Sequence, residues 1–336
     1  MPAAHLPTPS SRRKFLFGLG TLLSLPALSR ISTPAHAAGP GELVLYGPPA
    51  GPSIILAQAV QSQTFEGSGK LGFKVWRSPD EMRAGLTSGT MAAVVLPTQV
   101  AANLYNRGMK IRLLNILTQG LLYIVSTDAG IDSFPALKGR KLAVPFRNDM
   151  PDLVLAYLLK HHGMNPASDL TIQITGSPVE AMQMLLMGRV DAALVAEPAA
   201  TGATIRGRLM GRKIRRVIDI QAAWAEATGR APVLPQAGLA LTDPLRTARP
   251  ELAEALQTAL EAAVAKVNAD PQAAAELAAP FLDFPAAILA ASIPTSKLVV
   301  TRARAARNDI EAMLTTLADA DPAIIGGHLP DDGFYL

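Results

Sequence analysis

The chain lacks cysteine entirely and holds only five histidines among its 336 residues. Without cysteine it forms neither a disulfide bond nor a lipid-modified N-terminal cysteine. His161 and His162 are adjacent in a segment with helical periodicity, so their side chains do not face one ligand together. We therefore expect no metal site and no cofactor.

Sequence motifs of enzymes are also missing. The chain has no G-x-S-x-G nucleophile elbow, no cluster of metal ligands and no glycine-rich nucleotide loop outside its N-terminal segment. Asp149 and Glu197 remain as a conceivable carboxylate pair, but nothing in the sequence fixes their separation. We expect a binding protein and keep an enzyme as the weaker alternative.

Long hydrophobic runs are scarce as well. The apolar stretch 15–28 falls short of the roughly 20 residues that span a bilayer. It follows Arg12-Arg13 and precedes Ala35-His36-Ala37, which has the small-x-small form of a cleavage site. We predict that 1–37 is a twin-arginine signal peptide, with an ordinary secretory signal or a disordered tail as alternatives. The mature chain is then expected in the periplasm, without a lipid anchor or membrane insertion.

Beyond residue 37, basic and acidic residues are balanced. The chain has 31 basic and 27 acidic residues, and four of the basic residues but none of the acidic ones lie in 1–37. The remainder carries equal numbers of each sign. These totals leave no basic field that would attract nucleic acid or anionic lipid. We expect no nucleic-acid partner and a monomeric protein.

What the chain does contain is a long internal repeat. Thirteen residues between positions 43 and 108 recur without a gap ninety-nine positions later. A repeat of this length exceeds the periods of about 20–50 residues found in solenoids and suggests two similar lobes. The repeated residues of the first copy are Leu43, Leu56, Ala57, Leu71, Ser78, Pro79, Glu81, Leu86, Gly89, Ala93, Ala101, Arg107 and Gly108.

Strand-like and helix-like segments alternate in both copies. Predicted strands lie at 42–46, 71–76 and 91–96, and in the second copy at 141–144, 170–174 and 191–195. Both copies also carry a capping box with proline at the first helical position, which begins at Ser78 and again at Ser177. This alternation predicts an α/β fold of two lobes, each a mostly parallel sheet flanked by helices, joined by two crossover segments.

The predicted lobes are discontinuous in sequence. Lobe one takes residues 40–127 and 237–300, and lobe two takes residues 131–232. Residues 301–336 form a last helix and a tail expected along the outside, with a disordered tail as the alternative.

Ligands of open α/β sheets bind beyond the carboxyl ends of the strands. In this chain those ends are the loops 47–52 and 97–99 of the first copy and 146–149 and 196–198 of the second. The helices that follow 47–52 and 146–149 are expected to offer free N–H groups to an anion. The predicted ligand-binding residues are Tyr46, Gly47, Pro48, Gly51, Thr98, Gln99, Phe146, Arg147, Asn148, Asp149 and Glu197.

Several of these residues have a purely structural interpretation too. Arg147 can grip an oxyanion through two parallel hydrogen bonds, or it is a surface arginine. Asp149 can be a helix cap, and Glu197 can bind a ligand amine or hydrogen-bond to backbone. Tyr46 and Phe146 are aromatic walls of the site or core residues.

Two blocks of the chain resemble a known family. Residues 132–144 (DSFPALKGRKLAV) and 188–198 (GRVDAALVAEP) are similar to blocks of periplasmic substrate-binding proteins of ABC importers, of the nitrate/sulfonate/taurine type. That group is related to proteins that bind thiamine precursors. Pyrimidine synthases that share the fold depend on a cysteine-rich motif, which this chain lacks.

The resemblance implies a two-lobed protein that closes on a small molecule and delivers it to an ABC permease in the inner membrane. Arg147 and the helix N-termini favour an anionic ligand, with a sulfonate, nitrate or taurine-like compound first. A neutral heteroaromatic vitamin precursor is one alternative. A ligand-sensing or accessory role beside a membrane protein is another.

Overall fold

The computed structural model describes residues 42–61 and 70–336. The predicted signal peptide lies outside these described residues. The strands of the described chain are β1 (Glu42–Gly47), β2 (Lys70–Val75), β3 (Ala93–Pro97), β4 (Ile111–Thr118), β5 (Leu122–Ser126), β6 (Lys141–Pro145), β7 (Thr171–Thr175), β8 (Ala192–Ala196), β9 (Arg215–Asp219), β10 (Ala237–Thr242) and β11 (Leu298–Arg302).

Helices follow most of these strands. They are α1 (Pro52–Gln61), α2 (Pro79–Ser88), α3 (Thr98–Asn106), α4 (Met150–His161), α5 (Pro178–Leu186), α6 (Ala199–Leu209), α7 (Ile220–Thr228), α8 (Asp243–Ala248), α9 (Leu252–Ala269), α10 (Pro271–Leu282), α11 (Ala286–Ser292) and α12 (Arg307–Ala318). No helix in 42–61 or 70–336 is long and apolar enough to cross a membrane.

The strands form two mixed sheets. The first sheet has the order β11-β4-β10-β3-β1-β2, and the second has the order β7-β6-β8-β5-β9. In each sheet the three strands of the repeat run parallel, and the strands added beside them pair antiparallel. The predicted α/β class with two lobes is confirmed, although the sheets are mixed rather than mostly parallel. We call the parts built on the first and second sheets the first and second halves.

The register of the sheets refines the repeat. Leu45 of β1 pairs with Ala93 of β3, and Leu142 of β6 pairs with Ala192 of β8. The two alanines are ninety-nine positions apart in sequence, but the two leucines are ninety-seven apart. The gapless repeat therefore slips by two residues at its first strand. An even slip keeps every side chain on its face of the sheet, so the apolar pattern hides it.

Helices α2 and α5 begin with the predicted capping boxes, except that each glutamate accepts from the residue before the cap and not from the cap residue itself. The hydroxyl of Ser78 accepts a hydrogen bond from the N–H of Glu81 at 3.2 Å, and Ser177 accepts one from Glu180 at 3.1 Å. Both glutamate carboxylates accept in return from the N–H one residue before the cap, at 2.7 Å. These bonds fix the entries of α2 and α5, which lie at corresponding places in the two halves.

Side chains alternate between two buried apolar clusters along the central strands. Ala93 and Val95 of β3 belong to one cluster, and Val94 and Leu96 belong to the other. All four side chains are fully buried. Apolar residues on both faces of a strand require helices on both sides of the sheet, and this double cover leaves the ends of the strands as the place for a site.

The predicted boundary between the two lobes changes in the structure. Strand β5, which the sequence assigned to the end of lobe one, pairs with β8 and β9 in the second sheet. The crossing between sheets thus lies between β4 and β5 rather than near residue 127.

The C-terminal tail is exposed at 327–329 and 331–332, but its end is buried in the protein. Phe334 and Tyr335 are almost completely buried, and the N–H of Leu336 donates to the carbonyl of Leu113 at 2.9 Å. Tyr335 bridges Leu113 in β4, so the tail continues the sheet where β11 ends. Two buried aromatic side chains explain why this tail is held in place.

Candidate ligand-binding cleft

A small cavity lies where the strand ends of the two halves meet. Its walls come from the ends of β3 and β8 and from the loops that follow β1 and β6. The space open to the centre of a water molecule is about 90 Å³, and a single water needs about 10–15 Å³ by that measure. We call it the inner cavity, and its size suits a compact molecule.

The wall of the inner cavity is mainly apolar. Trp76 and Phe146 are its aromatic residues, and the indole N–H of Trp76 donates to the carbonyl of Val95 at 2.9 Å. This bond holds the ring at the end of β3. The prolines of the wall are Pro48, Pro49, Pro52, Pro79, Pro97, Pro151 and Pro178.

These prolines correct the expectation of free N–H groups for an anion. Pro52 is the first residue of α1 and Pro151 the second residue of α4, and proline has no N–H. The N–H of Met150 donates to the carboxylate of Asp149 at 2.8 Å, and that of Ser53 donates to the carbonyl of Ala50 at 3.0 Å. The helix ends that face the cavity are therefore largely satisfied before any ligand arrives.

Gln236 lines this apolar wall and carries a buried polar atom without a hydrogen-bond partner in the described part of the chain. Its side chain is only 6% exposed, and its Oε1 has no hydrogen-bond partner among the described residues. Its backbone carbonyl accepts from the N–H of Thr98 at 3.1 Å, which fixes the residue beside the end of β3. A buried oxygen without a partner costs free energy, so this atom is a candidate contact for a ligand that donates a hydrogen bond.

Asp149 joins the two halves at the edge of the inner cavity. Its carboxylate caps α4 and accepts from Gln99 Nε2 at 2.8 Å and from Arg83 at 3.2 Å. Gln99 and Arg83 belong to α3 and α2 of the first half. The residue is 3% exposed. The structural interpretation of Asp149 as a cap is correct, and the same carboxylate also holds the halves together.

Glu197 faces partners within the protein instead of a ligand amine. It is fully buried and accepts hydrogen bonds from Arg216, from the N–H of Thr201 at 2.9 Å and from Thr295 Oγ1 at 2.7 Å. The Arg216 guanidinium also stacks over the ring of Tyr123, 5.2 Å from its centre. Burial, followed by the nearby carboxylates, raises the pKa of Tyr123. This cluster locks β8 and β9 to the segment before β11.

The other predicted residues of the first half have different positions. Pro48 lines the inner cavity, whereas Tyr46 is half-buried and packs on the core. A Cβ on Gly47 would lie 2.4 Å from Ser53 Oγ, so this glycine serves close packing of α1. The hydroxyl of Thr98 is buried and donates to the carbonyl of Pro235 at 2.6 Å.

Backbone contacts across the halves involve Gly51. Its N–H donates to the carbonyl of Glu197 at 3.1 Å, which ties the loop after β1 to the end of β8. A Cβ at this position would also meet Ser296 Oγ at 2.9 Å.

The loop after β6 holds an unusual backbone. Phe146 and Asn148 both have a φ of 59°, which side chains larger than glycine rarely adopt. Phe146 lines the inner cavity, and Asn148 lies outside it. Arg147 is exposed, does not line the inner cavity and forms no hydrogen bond or ion pair with any described residue.

Most residues of the cavity wall were not among the predicted ligand-binding residues, and three residues that border the cleft matter for its chemistry. Trp76 and Gln236 line the inner cavity, and Arg83 contacts Asp149. Trp76 sits at the end of a predicted strand in the first copy, so its position carried a usable signal. Gln236 and Arg83 had none, because both reach the site only through the packing of distant segments.

One family model matches more than half of the chain. Residues 70–280 match the model of a family described as "ABC transporter, phosphonate, periplasmic substrate-binding protein". None of the curated proteins matches the chain.

Solved structures share the fold at low sequence identity. An ABC transporter from Parabacteroides distasonis is 24% identical with a TM-score of 0.73, covering 87% of this chain and 97% of that one. The periplasmic aliphatic sulphonate binding protein SsuA from Escherichia coli is 16% identical with a TM-score of 0.66, covering 86% and 96%. The periplasmic nitrate-binding protein NrtA from Synechocystis PCC 6803 is 15% identical with a TM-score of 0.59, covering 74% and 68%.

Proposed function

The chain belongs to the family of phosphonate ABC transporter periplasmic substrate-binding proteins, and we propose that it captures one compact solute in the inner cavity. The family implies a small-molecule ligand and an ABC permease as partners. In our proposal the bound solute contacts both halves and stabilises their closed arrangement, which the permease then recognises.

Gln236 carries the proposal for the ligand class. This residue lies in a wall of prolines, leucines and aromatic rings, and its buried Oε1 lacks a partner among the described residues. A ligand with an apolar body and one N–H or O–H donor would satisfy that oxygen and fill the remaining space. Satisfying a buried acceptor removes its desolvation cost, so the ligand gains affinity and selectivity from one bond.

The charges around the inner cavity favour a neutral ligand. No cation is found among the described residues that line it, whereas the acidic residue Asp149 is one of them. An oxyanion placed there would find few free N–H groups and no cation among the described wall residues, because Arg83, which pairs with Asp149, does not line the cavity. A neutral amide or N–H heterocycle avoids both costs.

An oxyanion is the second candidate, and a different set of residues favours it. A second, more polar cavity of about 470 Å³ lies outside Asp149, and its walls include Arg83, Gln99 and Asn148. The exposed Arg147 adjoins Asn148 and is free to bind a sulfonate or phosphonate group. The family description, which names phosphonate, also supports this candidate.

A ligand screen separates the two candidates. We expect neutral amides or N–H heterocycles to raise the temperature of thermal unfolding. At 100 times its dissociation constant, such a ligand adds about 2.7 kcal/mol to the free energy of unfolding. Sulfonates, phosphonates and nitrate form the second arm of the screen. If only that arm stabilises the protein, and Arg147→Ala abolishes the effect, the oxyanion is the ligand.

Calorimetry of Gln236→Leu tests the contact itself. The variant removes an unsatisfied oxygen, so we expect the unliganded protein to be at least as stable while the neutral ligand binds about tenfold more weakly. Gln183→Leu, at an exposed position of α5, is the matched control. Unchanged affinity in Gln236→Leu would refute the proposed contact.

A further inference from the structure

Basic residues gather at one pole of the second half, although the chain beyond residue 37 has balanced charge totals. Segments 183–190 and 206–216 contain no acidic residue. Arg216 pairs with Glu197, but the other basic side chains of the two segments form no ion pair with any described residue. These are Arg189, Arg206, Arg208, Arg212, Lys213 and Arg215, and we call them the unpaired cations.

Apolar side chains stand among these cations. Of the four large apolar residues that are exposed in the described chain, three lie here: Met187 (67%), Leu209 (82%) and Met210 (55%). Leu209 ends α6, and Met210 and Met187 are the capping residues directly after α6 and α5. We call the three apolar residues together with the unpaired cations the basic–apolar surface.

One bond and the helix directions locate this surface. Arg212 donates to the carbonyl of Leu185 at 3.4 Å, which joins the ends of α5 and α6. Both helices begin near the inner cavity, because Pro178 and Ala196 line it. Helix α6 has 11 residues and is therefore about 16 Å long. The surface lies roughly that far from the cleft, so changes there spare the ligand site.

We propose that the basic–apolar surface binds the anionic headgroup region of a phospholipid membrane, a role beyond the proposed function and independent of it. Each cation near an anionic membrane adds to the attraction, and exposed Met and Leu side chains enter the headgroup–acyl boundary. Each of the three apolar side chains is more than half exposed, so each can enter a lipid headgroup region without a partner of complementary shape. That arrangement suits a fluid lipid surface better than an acidic protein, which would need a shaped complement.

Vesicle sedimentation tests this proposal. The 38–336 chain contains all the described residues and excludes the basic N-terminal segment, which would bind vesicles for other reasons. We expect it to sediment with phosphatidylglycerol vesicles at low ionic strength and not with phosphatidylcholine vesicles. Binding to phosphatidylglycerol should fall steeply as salt rises.

Variants distinguish this surface from the rest of the protein. Arg208→Glu/Lys213→Glu/Arg215→Glu should reduce partitioning by at least about fivefold for each charge lost, because a cation near such a surface contributes about that factor. Met187→Ser/Leu209→Ser/Met210→Ser should reduce it with the charge unchanged. Lys70→Glu/Lys74→Glu/Arg107→Glu, at exposed positions of the first half, changes net charge equally and should retain most of the binding.

Thermal unfolding and ligand affinity show whether each variant is folded. Two results would overturn the proposal: no sedimentation of the wild-type chain with phosphatidylglycerol vesicles at low salt, or equal losses in the two charge-reversal variants. A chain that ignores both vesicle types but loses transport in the cell when Arg208, Lys213 and Arg215 are reversed would assign the surface to a protein partner instead.

Discussion

Gln99 of the first half donates a hydrogen bond of 2.8 Å to the carboxylate of Asp149, which caps α4 of the second half. Because a carboxylate only accepts, this bond fixes the orientation of the Gln99 amide and leaves its Oε1 without a partner. The same carboxylate accepts from Arg83 at 3.2 Å. One side chain therefore couples a helix cap to the contact between the halves.

The substitution Asp149→Ala should weaken both the cap of α4 and the contact between the two halves. We expect the free energy of unfolding to fall by about 2 kcal/mol, from the lost cap and the unpaired Gln99 amide. Without these bonds the halves should also separate more easily, so the radius of gyration from X-ray scattering should rise. Asp80→Ala, at an exposed residue in the first turn of α2, is the control and should change neither quantity. An unchanged radius of gyration would contradict the coupling.

Arg216→Met should be among the most damaging single changes. It leaves the fully buried Glu197 carboxylate without its cation, and breaking a buried pair in this way costs about 3–5 kcal/mol. Urea unfolding measures the loss. Arg215→Met, at the exposed neighbouring position, should be nearly neutral.

Adding Glu197→Gln to Arg216→Met should restore part of that stability, since the buried charge is then gone. If the double variant is no more stable than Arg216→Met, the buried charge is not the cause of the loss.

Stability should fall at acid pH through Asp243. Hydrogen bonding to Arg112 at 2.7 Å, with a further contribution from Arg246, lowers the pKa of the Asp243 carboxyl. A lowered folded-state pKa stabilises the protein above the unfolded-state value of about 3.9. That contribution disappears as pH falls from there through the folded-state pKa.

Asp243→Asn should therefore destabilise the protein at pH 7 and have a smaller effect at pH 3. Urea unfolding of both proteins at the two pH values measures this difference. The same loss at both pH values would exclude the ionised carboxylate as the source.

Phe334→Ala should show that the C-terminal tail belongs to the core. The ring is fully buried and lies 5.3 Å from the ring of Tyr105, so truncation should cost about 3–5 kcal/mol. Leu329→Ala, at a side chain that is 40% exposed, should cost less than about 0.5 kcal/mol. Comparable losses in the two variants would argue against a structural tail.

Much of the fold was predictable because local rules decide it. Apolar runs marked the strands of both copies, and the serines at 78 and 177 capped the helices that follow. The two-residue slip at β1 and β6 was not predictable, since an even shift leaves the apolar pattern unchanged.

The site was predictable only in part. Pro48, Phe146 and Asp149 line the inner cavity, because the repeat located the loops at the strand ends, and their contact with a ligand stays a prediction. Glu197 could not be assigned from sequence, since its partner Arg216 reaches it from another strand. The ligand contact proposed for Gln236 depends on an atom left unpaired by packing, which no sequence pattern records.

The inner cavity can be tested most directly through Trp76. The chain has two tryptophans, and Trp224 packs on Tyr157 with 5.1 Å between ring centres. A Trp224→Phe variant leaves Trp76, in the cavity wall, as the sole reporter. Its fluorescence should change saturably with the ligand found by screening, with the dissociation constant that calorimetry gives. Saturating ligand without any change in Trp76 emission would contradict binding in the inner cavity.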